Sequence, residues 1–442
     1  MEIADKLHGQ AGRVQTKHRL YRLMIIQRPL WFQTKFPNPH SLSLSGRWAT
    51  IGVIALMSLT ETPLETDAML TEVTRTRDFP SLAGITYLNS AAEGIPPLAV
   101  GQALQQYFAD KQLGMDGRER HASQWNAAKK LVAEFYGLTA GEVTICSCSS
   151  EAYNLAAAAL QLQAGDEVVI NDLDFPAGAT PWLQPTCPAT VKVWRSRAGA
   201  LNVADLLPLL GPKTRLVTTS LVSFFNGYKL CLPEIIVAVR KHSPALVSVD
   251  VTQALGRIPL DLNDVDLIVS STHKWILASH GGGLIGVPAK RAAAWTVPAG
   301  GWFNLQDAFG PQRFEQAVSL PGAAGFTVGM PNYPAVYAIR AGLEYIRGVG
   351  LSAINAAAQP LTEACLDELT RLPIELLTPR DTSAIAGILA FRHPRAEQIQ
   401  QQLRSQNIHV MSHAGRLRIA IHGYNTAQDI EKLLRELRVA LK

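Results

Sequence analysis

The sequence predicts an α/β fold, with a large domain on a mainly parallel sheet followed by a smaller α+β domain. Three observations carry this. Apolar runs of strand length recur from about Tyr87 onward, helical patterns separate them, and the character of the chain changes near Pro331 to Pro334.

Taken in order, residues 1–68 form a basic extension without clear periodicity. It reads either as a targeting segment, being rich in bases and poor in acids, or as sequence upstream of the true start, with Met57 and Met69 as candidates. Residues 69–330 follow as an arm and the large domain. EVVIND (167–172), RLVTTSLV (215–222), ALVSVDV (245–251) and DLIVSST (266–272) read as strands buried on both faces, as in a parallel sheet. Residues 127–136 and 153–162 read as covering helices. Residues 331–442 form the smaller domain. It is helical over 335–372, with ILAFRH (388–393) and LRIAIHGY (417–424) as strands. Thr426 then reads as the N-cap of a last helix, with Asp429 three residues on, and Ile430, Leu433, Leu434 and Leu437 share one face of it.

Composition narrows the class. The chain has 442 residues, 47% hydrophobic and 17% charged, long enough for two domains. Five scattered cysteines give no disulfide framework. They read as reduced thiols in a cytoplasmic protein, and Cys146 and Cys148 as core thiols rather than metal ligands; no metal is expected. The net charge of +5 is concentrated in residues 1–56, which alone carry +6. The near-neutral body therefore gives no reason for a nucleic-acid partner. The apolar stretch 48–57 is far short of the ~20 residues of a membrane span.

In an open parallel sheet, ligands bind beyond the carboxyl ends of the strands. The residues that follow the ends of the apolar runs are Asp174 and Phe175, Ser223, Asp250 and Gln253, and Ser271 to Lys274, all but the aromatic Phe175 polar or charged. A lysine just past a buried strand is partly desolvated, which lowers its pKa and makes it a Schiff-base nucleophile. Taken alone, Lys274 is more often a surface lysine at a strand end. Asp250 shifts that balance, because a carboxylate ending LVSV needs a partner. A protonated pyridine nitrogen would suit it, and the competing reading is a turn cap. Gln253 could face a phenolate oxygen or be an ordinary loop amide. Ser149 and Ser150 precede a helix, whose N-terminus binds phosphate well, though a plain N-cap is the commoner case. Gly281 to Gly286 matches G-x-G-x-x-G, but it leads into the strand-like LIGV instead of opening a helix, so a dinucleotide site is excluded.

STHKW together with Asp250-Val-Thr-Gln253 resembles the class V, cysteine-desulfurase-like and epimerase-like branch of pyridoxal-phosphate (PLP) aminotransferases. YLNSAAEGIPP (87–97), CSSEAYN (148–154), DFPAGATPW (174–182) and LRIAIHGYNT (417–426) are similar to further motifs of that family, in the same order. The resemblance implies PLP fold type I, with a seven-stranded, mainly parallel sheet, and a homodimer. It implies Lys274 as the Schiff-base lysine and Asp250 as partner of the pyridine nitrogen. It places Gln253 at the phenolate oxygen and Ser149, Ser150, Ser271 and His273 at the phosphate. Phe175 stacks on the ring, and Asn89 lies near the substrate. Arg418 clamps the carboxylate of an amino-acid substrate. Transamination, elimination and epimerisation all remain open. The alternatives are a selenocysteine lyase or cysteine desulfurase relative, and a non-catalytic binding protein on the same fold.

Two departures argue against a desulfurase: Phe175 stands where those enzymes place a histidine, and no cysteine follows Cys365. A third, Met330 in place of a threonine that donates to the phosphate, bears on the phosphate cage.

Overall fold

The computed structural model describes residues 72–442, within one compact unit, Leu64–Lys442. The expectations on residues 1–68 lie outside the described residues.

Seven strands form the large sheet: β2 (Val143–Cys146), β3 (Glu167–Asn171), β4 (Thr190–Trp194), β5 (Thr214–Ser220), β6 (Leu246–Asp250), β7 (Leu267–Ser271) and β8 (Gly283–Gly286). The order across the sheet is β2-β8-β7-β6-β5-β3-β4. Only β8 runs against its neighbours β2 and β7. Side chains alternate between the two faces of each strand. Val169, Val217, Val247 and Ile268 meet α3 (Arg118–Tyr136), α7 (Leu232–His242) and α8 (Tyr333–Val349) on one side. Val168, Leu216, Leu267 and Val269 meet α4 (Ser149–Leu160) on the other. Both faces are covered, which is why the strands read as unbroken apolar runs.

A second sheet runs β12-β13-β10-β9, from β9 (Glu375–Leu376), β10 (Ile388–Arg392), β12 (Met411–His413) and β13 (Arg416–Ala420), with every pairing antiparallel. Its core holds Leu366 of α9 (Leu351–Leu369), Leu403 of α10 (Ala396–Ser405), and Leu433 and Leu437 of α11 (Ala427–Leu441). Leu417 and Ile419 of β13 point into this core, so Arg416 and Arg418 project from the opposite face.

Two features depart from the sequence pattern. The chain at Thr86–Tyr87, β1, pairs in parallel with β11 (Ile408–His409), so the start of the folded region joins C-terminal structure. A two-residue strand has no periodicity to betray it. In addition, α8 packs on α3 and on α2 (Leu98–Gln112), and its Val336, Ile339 and Leu343 enter the large-sheet core.

Candidate functional site

The site forms where β6 and β7 end side by side. Their register pairs Asp250 with Val269, which brings Asp250 beside the loop that carries Lys274. Asp250 is 8% exposed and Lys274 9%. Asp250 accepts from the Thr252 backbone N–H (2.8 Å) and the Tyr153 hydroxyl (3.2 Å). Burial raises its pKa, and the bonds to Thr252 and the Lys274 charge offset that in part. Burial lowers the pKa of Lys274; Asp250 opposes the shift and Arg418 adds to it. The Lys274 Nζ lies 5.1 Å from the centre of the Phe175 ring, which precedes the short helix α5 (Pro176–Ala179). Asp174 is buried behind this pair, and desolvation pushes its pKa up to about 7. It accepts from the Ser220 N–H (2.7 Å) and from Asn171 Nδ2 (2.8 Å).

On one flank, the Ser149 and Ser271 hydroxyls are 2.9 Å apart at the N-terminus of α4, with Ser150 exposed on the next position. The Ser271 N–H donates to the Thr252 hydroxyl (2.9 Å). Gly283 underlies this loop, because a Cβ there would stand 2.6 Å from the Cys148 carbonyl carbon. Cys146 is buried as expected, but Cys148 is exposed rather than a core thiol. It occupies the N-cap of α4, where its sulfur accepts from the Glu151 N–H. His273 stacks on His280 at 4.4 Å between ring centres, and His280 contacts Glu93. The crowding buries His273 and lowers its pKa to about 4, with the Lys274 charge adding to the effect. Met330 is exposed.

On the other flank, Gln253 is buried with a fixed amide. Its Oε1 accepts from the Trp275 indole (2.6 Å), and its Nε2 donates to the Ala91 carbonyl (3.1 Å), which leaves one N–H free of either partner. The 87–97 segment is pinned against the lysine loop at Gly94. The Gly94 N–H donates to the His273 carbonyl (2.8 Å), and a Cβ at Gly94 would overlap the Lys274 carbonyl. Asn89 bridges to Ala420 at the end of β13, and its Oδ1 is buried without a partner.

Arg418 is 3% exposed. Its Nη1 donates to the Phe224 carbonyl (2.9 Å), its Nε has no partner, and no carboxylate pairs with it among the described residues. Burial pushes its pKa down to about 9, with Arg416 contributing. Such a desolvated cation is costly unless an anion arrives.

The structure thus brings Lys274, Asp250, Phe175, Ser149, Ser271 and Arg418 around one crevice, with Gln253, His273 and Asn89 at its edges. The sequence did not single out Tyr153, Thr252, Gly94, Gly283, Trp275 or Phe224. All of these act through contacts between segments distant in sequence, which no local pattern reports.

Comparison with known proteins gives a consistent answer. The family model for Aminotransferase class-V matches residues 86–433. An uncharacterized aminotransferase of Bacillus subtilis, YcbU, is 24% identical over 361 residues, covering 81% of this chain and 95% of that protein. A probable cysteine desulfurase of Vibrio cholerae is also 24% identical, covering 81% and 94%. Among solved structures, a cysteine desulfurase from Thermococcus onnurineus NA1 superposes with a TM-score of 0.75 at 20% identity, over 82% of this chain and 96% of that one. The cystine C–S lyase C-DES superposes at 0.73 and 24% identity, over 81% and 98%.

The family uses pyridoxal phosphate, and the residues present fit that group. A twelve-residue helix begins at two serines, suited to a phosphate. A buried carboxylate, a desolvated lysine and an exposed aromatic ring surround the space beside it. The extent of the family match, on a mainly parallel seven-stranded sheet with this residue set at its strand ends, makes the chain a member of the aminotransferase class-V family.

Proposed function

We propose that the chain is a PLP-dependent enzyme that acts on the α-carbon of an amino acid through Lys274, without forming a persulfide on one of its own cysteines. The bound cofactor supplies an electron sink. Asp250, held by Thr252 and Tyr153, is the carboxylate that would keep the pyridine nitrogen protonated. Phe175, 5.1 Å from the Lys274 Nζ, would cover one face of the ring. Ser149, Ser150, Ser271 and His273 would hold the phosphate, and Gln253 would turn its free N–H to the phenolate oxygen.

Lys274 would hold the cofactor and would also be the group that moves the proton at the α-carbon. Burial favours its neutral, nucleophilic form. Arg418 clamps the substrate carboxylate by a two-pronged ion pair, and Asn89 lines the same end. The single observation that carries this reading is Arg418, a buried guanidinium without a carboxylate partner among the described residues, close enough to lower the pKa of Lys274.

The reading without an enzyme-bound persulfide is supported by Cys365; the exposed Cys148 is engaged as the N-cap of α4. Cys365, after which the sequence has no cysteine, is fully buried in α9 within the C-terminal core. A lyase that cleaves cystine or selenocysteine without an enzyme thiol remains compatible with the site.

The test is incubation of the PLP-loaded protein with L-cysteine, followed by intact-mass spectrometry, beside a panel of amino acids read by keto-acid formation. The expected result is no protein-bound sulfur and turnover of at least one amino acid that Lys274→Ala abolishes. Gain of a sulfur atom on a cysteine of this chain would overturn the reading.

A further inference from the structure

Arg418 has a neighbour that the carboxylate clamp leaves unexplained. Arg416 stands two residues earlier on β13, projects from the same face, and is 5% exposed. Its Nη1 donates to the Phe225 carbonyl (3.0 Å), and its guanidinium lies over the Phe225 ring (4.3 Å) and near the Phe224 ring (5.5 Å). Its Nε is buried without a partner, and no carboxylate pairs with it among the described residues. Burial pushes its pKa down to about 10, with Arg392 contributing.

Arg416 is linked to the crevice through Phe224. Phe224 stands edge-on to Phe175 (5.1 Å), whose ring faces Lys274. The strand opposite carries Ala390 across from Arg418, which leaves room, and a third cation, Arg392, across from Arg416. His413 sits across from Arg416 on the other side. Arg392 is itself paired with Glu375 of β9 (3.0 Å), so Arg416 and Arg418 are the guanidiniums of this face that lack an acidic partner among the described residues. Two buried guanidiniums without acidic partners repel each other and raise the cost of folding, unless anions neutralise them. One α-carboxylate satisfies Arg418 alone.

We propose that Arg416 binds a second anionic group of the substrate, so that the site selects dicarboxylic amino acids. This rests on the function proposed above, because it requires the α-carboxylate at Arg418. Two positions along a strand separate the roots of the two side chains by about 7 Å. That span suits a side-chain carboxylate at glutamate length or longer. Phe224 and Phe225 line the path between and would pack against the methylenes of such a substrate.

The test uses the PLP-loaded enzyme with L-alanine, L-glutamate and L-2-aminoadipate, comparing kcat/KM in wild type, Arg416→Met and Arg416→Lys. The expected wild type prefers a dicarboxylic substrate over alanine by about 100-fold, the scale of one buried ion pair. Arg416→Met should collapse that preference at least tenfold, mainly through KM, and Arg416→Lys should keep part of it. Thermal melting and the visible cofactor band establish that the variants are folded and loaded.

If Arg416→Met does not fold, glutarate against butyrate as inhibitors of the wild type gives an independent reading, with glutarate expected to bind more tightly. A preference for neutral amino acids, a substrate ratio unchanged in Arg416→Met, or equal inhibition by the two acids would overturn the proposal. Failure of the underlying function looks different: no amino acid perturbs the visible band, and Lys274→Ala behaves as wild type.

Discussion

Arg418 shows most clearly how a single residue is shaped by what it awaits. A guanidinium in this position would ordinarily face solvent or a carboxylate; here it has one carbonyl and a buried, unpaired Nε. Arg418→Gln should therefore raise KM for an amino acid by about 30- to 1000-fold, the cost of breaking a buried charge pair. Steady-state kinetics on the loaded enzyme would measure this, and the melting temperature should hold or rise because a desolvation penalty is removed. Asp250 stood out in the sequence because a carboxylate ending an apolar run breaks a local rule, whereas Lys274, three residues past β7, drew its weight from Asp250 and the motifs around it. Tyr153 did not stand out, since a tyrosine in a helix of small apolar residues looks like core, and only the fold turns its hydroxyl to Asp250. Cys148 departs from the expected core thiol because the chain leaves β2 at Cys146 and turns into α4, which leaves its sulfur as an exposed cap.

At the scale of elements, legibility followed length and burial. The strands β3, β5, β6 and β7 lie where their apolar runs placed them, because burial on both faces writes a continuous signal. β4 escaped notice, being short and interrupted by lysine. The last helix is the best signalled of all. The Thr426 hydroxyl accepts from the Asp429 N–H (3.3 Å) and the Asp429 carboxylate from the Thr426 N–H (3.0 Å), a reciprocal capping box. Thr426→Ala should destabilise the protein by about 1 kcal/mol, read as a shift in the denaturation midpoint without a change in slope. Asp429 also contacts Asn425, which donates to the Tyr87 carbonyl, so Asp429→Ala should cost more than Thr426→Ala.

At the scale of the whole molecule, the two sheets are joined through the site itself. Arg416 and Arg418 reach the Phe225 and Phe224 carbonyls, Arg257 reaches the Ile421 carbonyl (2.9 Å), and His422 meets the Trp275 carbonyl (3.0 Å) one residue after Lys274. His422 is fully buried, donating from Nε2 and accepting the Gly423 N–H at Nδ1, so only the neutral ring satisfies both bonds. Burial holds its pKa at about 4, below the ordinary 6.5. A depressed folded-state pKa means that its contribution is fully present above pH 6.5 and is lost as pH falls towards 4, by roughly 3 kcal/mol at most. The melting temperature should therefore drop between pH 6.5 and 4. His422→Gln should be less stable at neutral pH and should show a shallower drop.

The central claim is that one lysine at the junction of the sheets holds the cofactor. It is tested most directly by reducing the PLP-loaded protein with borohydride and mapping the modified residue by peptide mass spectrometry, with Lys274→Ala alongside. The expected result is a visible band that reduction abolishes, a single pyridoxyl-modified peptide carrying Lys274, and neither feature in the variant. Modification of a different lysine, or a wild type that stays colourless with saturating PLP, would contradict it.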